Sequence, residues 1–280
     1  MREIFPADES NWNQAKLDTW SWDTYLTSAE RLYKAGYPVG LPMGHTSDSV
    51  NWVGAVFRAY GVVMVDAEDN IRVNSDETRE ALEYLEKLMA VNPPEVYAWD
   101  DAGNNRWLIS GRGARIMNAP RAWAVAKRDN PKVAESCWHH PMPKGPKGRV
   151  AAEVPSFYGV WSFSRNKSVA KEPLPYLSQK PAITKLVEAS LGCDLSAFKT
   201  MHDLDIWKTV GPPVGTIYGY SPRADEKTSI TGVPARTEVG ARIYNQAINS
   251  VMVSKFTQGG EELDDTIKWA ENELDATLRA

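Results

Sequence analysis

The 280-residue chain has few cysteines and no long apolar run. Its two cysteines, Cys137 and Cys193, lie far apart and without CxxC spacing, so no metal site is predicted on them. One disulfide in an oxidising compartment and two unpaired buried thiols both fit this pair. No segment reaches the roughly 18 uninterrupted apolar residues that a membrane helix needs. The sequence therefore predicts neither a thiolate metal centre nor a membrane span.

Catalytic signatures are also missing from the sequence. The four histidines show no metal-binding spacing, and there is no nucleophile elbow, phosphate-binding loop or dinucleotide fingerprint. The adjacent carboxylates Asp100 and Asp101 stand in a polar stretch, where a solvated loop is favoured over an acid–base pair. We therefore predict that the protein is not an enzyme and needs no cofactor.

A basic surface is lacking as well. The formal net charge is −4, which argues against a general binder of nucleic-acid phosphates. The first residues, Met1–Phe5, contain no apolar core of a signal peptide. A cytoplasmic protein fits this start, and so does a mature or shortened form of an exported one.

What the chain does have is helical periodicity and 11 tryptophans. Helices are predicted near residues 20–35, 75–90 and 261–278. In the second of these, Asn74 is the expected cap, with Glu77 at capping-box spacing. The last is expected to bury a stripe that includes Ile267 and Leu274. The pattern predicts an α/β fold with more helix than strand.

Strands are expected to be short. The candidates are residues 62–65, 71–73, 114–117 and 157–163, the last with Trp161 inside it. The stretch Pro141–Gly148 is rich in proline and glycine and is predicted to be irregular.

Several motifs occur in an order that is specific as a set. They are Thr19–Asp23 opening a helix, Phe57–Gly61, Leu108–Met117, Asn118–Trp123 and Pro143–Gly148. Together they resemble the maltose-binding type of bacterial extracellular solute-binding protein, family 1. The resemblance implies a type II periplasmic-binding architecture, mainly its C-terminal lobe. It also implies capture of a small polar solute (a sugar, polyol or sugar acid) by closure of two lobes, for an ABC importer.

The same resemblance implies permease subunits as partners and a periplasmic or extracellular location in a bacterium. In that family a first lobe precedes the Thr-Trp helix, whereas here only 19 residues precede Trp20. The chain is therefore predicted to lack most of that lobe. Residues 1–157 and 204–280 would form the C-terminal-type lobe. Residues 158–203 would cross the hinge and form a partial first lobe with exposed apolar surface, which a homodimer would be able to cover.

Candidate binding residues lie where the family places its cleft, which combines aromatic faces with polar groups. They are Asp48, Trp52, Arg121, Trp123, Tyr158, Trp161, Tyr218 and Arg236. Arg121 stands where sugar-binding relatives often carry a tryptophan, and a guanidinium favours a carboxylate, a phosphate or dense hydroxyls. A surface ion pair is the alternative for Arg121, a core position for Trp123, and a helix cap for Asp48.

Two other functions fit the sequence. One is a carbohydrate-binding or carbohydrate-processing protein unconnected with transport. The other is an interaction protein whose surface tryptophans are covered by a partner. Stoichiometric binding without turnover would distinguish solute capture from an enzyme.

Overall fold

A computed structural model describes residues 18–119, 121–191 and 226–280, together with 194, 196, 198–201, 204 and 205. The described chain divides into two compact units. Unit 1 holds residues 18–118, 140–153 and 226–280. Unit 2 holds residues 119–139 and the described residues from 154 to 205. Each unit is built from segments that are separated in sequence.

Unit 1 is formed mostly by amphipathic helices. They are α1 (Trp22–Lys34), α2 (Ser47–Tyr60), α3 (Asp76–Met89), α4 (Gly103–Ser110), α10 (Thr237–Asn245), α11 (Ile248–Thr257) and α12 (Leu263–Arg279), with a 3₁₀ turn at Pro94–Ala98. Serine and threonine hydroxyls start the first three helices. Ser21 accepts from the backbone of Thr24, and Thr46 forms a capping box with Ser49.

Two small sheets complete unit 1. Strands β1 (Val39–Gly40) and β2 (Arg115–Ile116) pair in parallel. In the second sheet, β4 (Gly148–Ala152) lies between antiparallel β3 (Lys144–Gly145) and parallel β5 (Glu226–Ser229). The helix-rich α/β class predicted from the sequence is confirmed.

The core of unit 1 is centred on α2, α3, α11 and α12. Val53, Leu85, Met252 and Leu274 are fully buried in one continuous apolar cluster. The stripe predicted on the last helix is confirmed, because Ile267 and Leu274 both face this cluster. Within the described ranges, no helix has both the length and the apolar character needed to cross a membrane.

Unit 2 consists of shorter helices. They are α5 (Arg121–Asp129), α6 (Pro131–Ala134), α7 (Lys167–Lys171), α8 (Pro173–Leu177) and α9 (Lys180–Ala189), with a 3₁₀ turn at Lys199–Met201. Its buried apolar side chains are few, among them Trp123, Ile183 and Val187. The sequence boundaries proposed for the two lobes, at residues 157 and 203, stay a prediction.

Three local predictions are wrong. The cap of α3 is Ser75 rather than Asn74, because the Ser75 hydroxyl accepts from the backbone of Thr78. The stretch 141–148 is partly regular, since β3 and β4 pair on either side of a two-residue turn. Residues 157–163 are irregular, with no strand pairing among the described residues.

The other predicted strands are shorter than expected. Residues 62–65 and 71–73 make only an isolated bridge between Val65 and Ile71. The candidate at 114–117 forms the two-residue strand β2.

Candidate functional site

The carboxyl ends of β1 and β2 open into two loops of unit 1. Strand β1 continues into residues 41–46 and then α2, and β2 continues into residues 117–118. Because the two strands are parallel, both loops leave the same edge of the sheet. That edge is where α/β sheets commonly bind ligands.

A hydrogen-bonded cluster connects these loops. Asn104, buried at the start of α4, donates through Nδ2 to Asp48 Oδ2 at 2.8 Å. Its Oδ1 accepts from Asn118 Nδ2 at 3.1 Å, and Asn118 Nδ2 also reaches Asn105 Oδ1 at 2.7 Å. We call Asp48, Asn104, Asn105 and Asn118 the amide cluster. It places a half-buried carboxylate and three amides at one sheet edge.

Tight packing beneath the amide cluster holds the loops together. A Cβ on Gly44 would lie 2.2 Å from the carbonyl oxygen of Trp99, and one on Gly103 would lie 2.4 Å from Trp99 Cβ. Only glycine permits such approach at both positions. Trp99 is therefore fixed between the loop after β1 and the start of α4, with its ring 5.6 Å from that of Trp107.

The cap of α2 settles one alternative for Asp48. Thr46, not Asp48, caps this helix. The backbone N–H of Asp48 and the hydroxyl of Ser47 both donate to Asp101 Oδ1, at 3.2 and 2.9 Å. Asp48 is thus held by its backbone as well as by Asn104, with its carboxylate directed into the amide cluster.

Asp100 and Asp101 have different partners. Asp100 forms an ion pair with Arg106 at 2.6 Å, and the hydrogen bond from Arg106 lowers the pKa of Asp100 below its ordinary value. Asp101 instead accepts from the start of α2. Each carboxylate is engaged separately at the surface, as a solvated loop predicts.

An open groove of about 540 Å³ begins at His45, in the same loop of unit 1, and extends to Ser254 and Lys255. The Lys255 ammonium lies 2.5 Å from Glu261 and over the ring of Trp269. Its charge is therefore balanced within the groove by a carboxylate and an aromatic face.

Two of the tryptophans predicted at the site are buried. Trp52 is 3% exposed and donates from Nε1 to the carbonyl of Pro42 at 2.8 Å. Trp123 is 4% exposed, donates to the carbonyl of Ala134, and has Lys127 over its ring. Trp123 is therefore buried within unit 2, as the alternative of a core position predicts.

The two arginines predicted at the site make ion pairs. Arg236 contacts Asp69 at 2.5 Å, with more than half of the arginine side chain exposed. Arg121 lies 3.9 Å from Asp194 within unit 2, at the outer limit of an ion pair, and its side chain is 66% exposed. The Arg236 pair is bidentate, because Nε also donates to Asp69 Oδ1 at 2.8 Å, whereas the longer, exposed Arg121 pair contributes little to stability.

The remaining predicted residues are aromatic. Tyr158 and Trp161 are both mostly exposed, and the ring of Trp161 stacks on Phe163 with centroids 5.5 Å apart. Tyr218 lies outside the described residues.

Of the two cysteines, Cys193 also lies outside the described residues. Cys137 donates its thiol to the carbonyl of Val133, and burial raises the pKa of that thiol to about 11.

Sequence reasoning missed Asn104 as a site residue, and it considered Asn118 only as part of a motif. Their role depends on contacts across 14 and 56 positions of sequence. The available signal was a polar Asn104-Asn105 pair at the start of a helix that continues into the apolar residues Trp107 to Ile109.

Comparison with known proteins decides the family. The model of the family described as bacterial extracellular solute-binding protein matches residues 3–182. The chain belongs to this family. A probable amino-acid ABC transporter periplasmic-binding protein, y4oP of Sinorhizobium fredii, is 27% identical over 177 residues, which are 59% of this chain and 38% of the relative.

Solved structures confirm the type II periplasmic-binding fold. Maltose-bound MalE3 of T. maritima superposes with a TM-score of 0.71 at 17% identity, over 91% of this chain and 65% of its own. A sugar transporter from Arthrobacter chlorophenolicus A6 with bound laminaribiose gives 0.74 at 15% identity, over 92% and 64%. MalE of Xanthomonas citri gives 0.70 at 15%, over 99% and 67%. The chain spans about two thirds of the length of these structures and less of the curated relative.

Proposed function

We propose that this chain is part of the substrate-binding component of an ABC importer, which captures a small polar solute without chemical turnover. The amide cluster at the carboxyl ends of β1 and β2 carries the proposal. The family relationship supports the importer, its permease subunits as partners, and a periplasmic or extracellular location. Residues 158–203 would supply part of the first lobe, with capture by closure of the two lobes.

The chemistry of the amide cluster suits a hydroxyl-rich ligand. A carboxylate such as Asp48 accepts hydrogen bonds from hydroxyl donors, and asparagine amides both donate and accept. Such groups fix orientation, while apolar and aromatic faces supply contact area. Structural relatives were solved with maltose, laminaribiose and D-mannitol, whereas the curated relative is named for amino acids. Of these, sugars and polyols match the amide cluster best.

Thermal unfolding and calorimetry with a ligand panel test the proposal. The panel contains maltose, laminaribiose, D-mannitol, D-tagatose, gluconate and the common amino acids. A true ligand at about 100 times its Kd should stabilise the protein by about 2.7 kcal/mol and bind one to one. Product formation from a bound sugar would favour the carbohydrate-processing alternative. A flat response across the panel would contradict solute capture by this chain.

Two variants locate the site. Asp48→Ala should strongly weaken the response, whereas the exposed Asp264→Ala should retain it. Arg121→Ala should weaken binding by roughly one and a half to three and a half decades if its guanidinium contacts the ligand in a desolvated site. In that case gluconate should bind better than neutral polyols. Equal affinities in wild type and Arg121→Ala would place Arg121 outside the site.

A further inference from the structure

Asn104 is fully buried, yet every hydrogen-bonding position of its side chain is used. Nδ2 donates to Asp48 Oδ2 at 2.8 Å and to the carbonyl oxygen of Met117 at 3.3 Å. Oδ1 accepts from Asn118 Nδ2 at 3.1 Å and from the backbone N–H of Asn105 at 2.7 Å. Two donor hydrogens and two acceptor lone pairs are the full capacity of an asparagine amide.

These partners allow a single orientation of the Asn104 amide. A flipped amide would place its oxygen against the Asp48 carboxylate and the Met117 carbonyl, which are both acceptors. It would also direct its N–H groups at two donors. Leaving buried polar groups unpaired is costly, so the flipped form is disfavoured. The amide orientation therefore keeps an N–H group directed at the Asp48 carboxylate.

The partners of Asn104 outside its own helix come from two other segments. Asp48 lies in the first turn of α2, whereas Met117 and Asn118 follow β2. Asn104 itself is on α4, whose start is packed against Trp99. One buried side chain thus connects α4 to the first turn of α2 and to the loop after β2.

We propose that Asn104 is the positioning residue of this site, setting the orientation of Asp48 and Asn118 for ligand hydroxyls without touching the ligand. The inference rests on the proposed function only in assuming that the bound molecule is a hydroxyl-rich solute. The contact between Asn104 and Asp48 is testable without any ligand.

The ligand-free test uses the side-chain amide signals of Asn104 in ¹⁵N-labelled protein. An N–H that donates to a carboxylate resonates downfield of one that donates to a neutral oxygen. Asp48→Asn should therefore move the Asn104 signal upfield. The control Ser110→Ala, at the exposed end of the same helix, should leave the signal in place. An Asn104 signal that is unchanged in Asp48→Asn would overturn the proposal, whatever the protein binds.

The binding test uses maltose, laminaribiose, D-mannitol and D-tagatose as probes, by calorimetry. Asn104→Ala should lower the affinity for a probe that binds wild type by about tenfold or more, because a charged hydrogen bond that orients Asp48 is lost. In the Asp48→Ala background, the same change should cost clearly less affinity than in wild type, because only its effect on Asn118 remains, although it still lowers stability. Asn104→Ser provides a second variant if Asn104→Ala does not fold.

The outcomes separate the two proposals. Additive losses of affinity in the double variant would mean that Asn104 is only structural, which overturns the inference. If none of the four probes binds wild type, solute capture of that class fails. The Asn104–Asp48 contact is then still decided by the amide signals alone.

Discussion

Helix α3 of unit 1 and residues 154–163 of unit 2 place similar side chains in opposite surroundings. Leu82, Leu85 and Leu88 on α3 are fully buried. In unit 2, Phe157 is 87% exposed and Phe163 is 77% exposed. Unit 1 has helices on which apolar residues recur at helical spacing and face one cluster. Residues 157–163 of unit 2 make no strand pairing among the described residues.

The difference shows which part of the molecule gains stability from burying apolar side chains. Burying a large apolar side chain contributes about 1.5–3 kcal/mol relative to leaving it exposed. Unit 1 gains this from most of its large apolar residues, whereas unit 2 leaves much of its apolar surface in water. Contiguous exposed apolar surface is typical of interaction sites, so covering it with another polypeptide would stabilise unit 2.

The largest expected effect is a cavity in unit 1. Leu85→Ala should lower the free energy of unfolding by about 2–5 kcal/mol, because the removed atoms leave an unfilled space in the core. The matched change in unit 2 is Leu186→Ala on α9, where the leucine is 45% exposed. It should cost less than about 1 kcal/mol. Urea unfolding of both variants measures this contrast. Equal losses of unfolding free energy in the two variants would contradict it.

Overpacking in the floor of the site should have the next largest effect. Gly44→Ala introduces a Cβ 2.2 Å from a backbone oxygen that cannot rotate away. We expect a loss of about 1–3 kcal/mol in unfolding free energy. The matched control is Gly159→Ala in unit 2, where a Cβ meets no atom within 4 Å. That variant should be neutral, and a loss as large as that of Gly44→Ala would show hidden packing around residue 159.

Acid should affect unit 2 through His139. Burial lowers the pKa of His139 from 6.5 to about 4. The unfolded chain therefore binds this proton at a higher pH than the folded chain does. The contribution of neutral His139 to the free energy of unfolding is fully present above about pH 6.5 and is lost as the pH falls towards 4. The loss between pH 7 and pH 5 should be about 2 kcal/mol.

His139→Gln provides the test, because it should remove this part of the pH dependence. Chemical denaturation at several pH values measures the slope. An identical slope in wild type and His139→Gln would mean that other groups cause any acid sensitivity.

The parts of the fold that sequence predicted are those set by local periodicity. The stripe on α12 and the helix containing Leu82 and Leu85 depend on spacing alone. The errors at 144–149 and 157–163 have a common cause, because a strand exists only with a partner. The proline- and glycine-rich strands β3 and β4 pair with each other, whereas residues 157–163 pair with no strand in the described part of the chain.

The candidate site was predicted only in part. Asp48 was named because a carboxylate in a polar loop suits hydroxyl recognition. Asn104 was not named, because its role depends on hydrogen-bond partners that only the folded chain brings together. A polar residue early in a helix normally indicates a solvated turn, and nothing local shows that this one is buried.

The smallest expected effect on stability, yet the sharpest test of the comparison, concerns the exposed aromatics of unit 2. The paired change Phe157→Ser and Phe163→Ser should alter the free energy of unfolding by less than about 0.5 kcal/mol, since both rings already meet water. It should also reduce the binding of an apolar fluorescent dye. The matched control, Tyr33→Ser with Tyr37→Ser on the surface of unit 1, should leave dye binding nearly unchanged, because these two rings are only about half exposed. A loss of about 3–5 kcal/mol per phenylalanine, as for a buried ring, would instead show that a partner or a further segment covers residues 157–163 in solution.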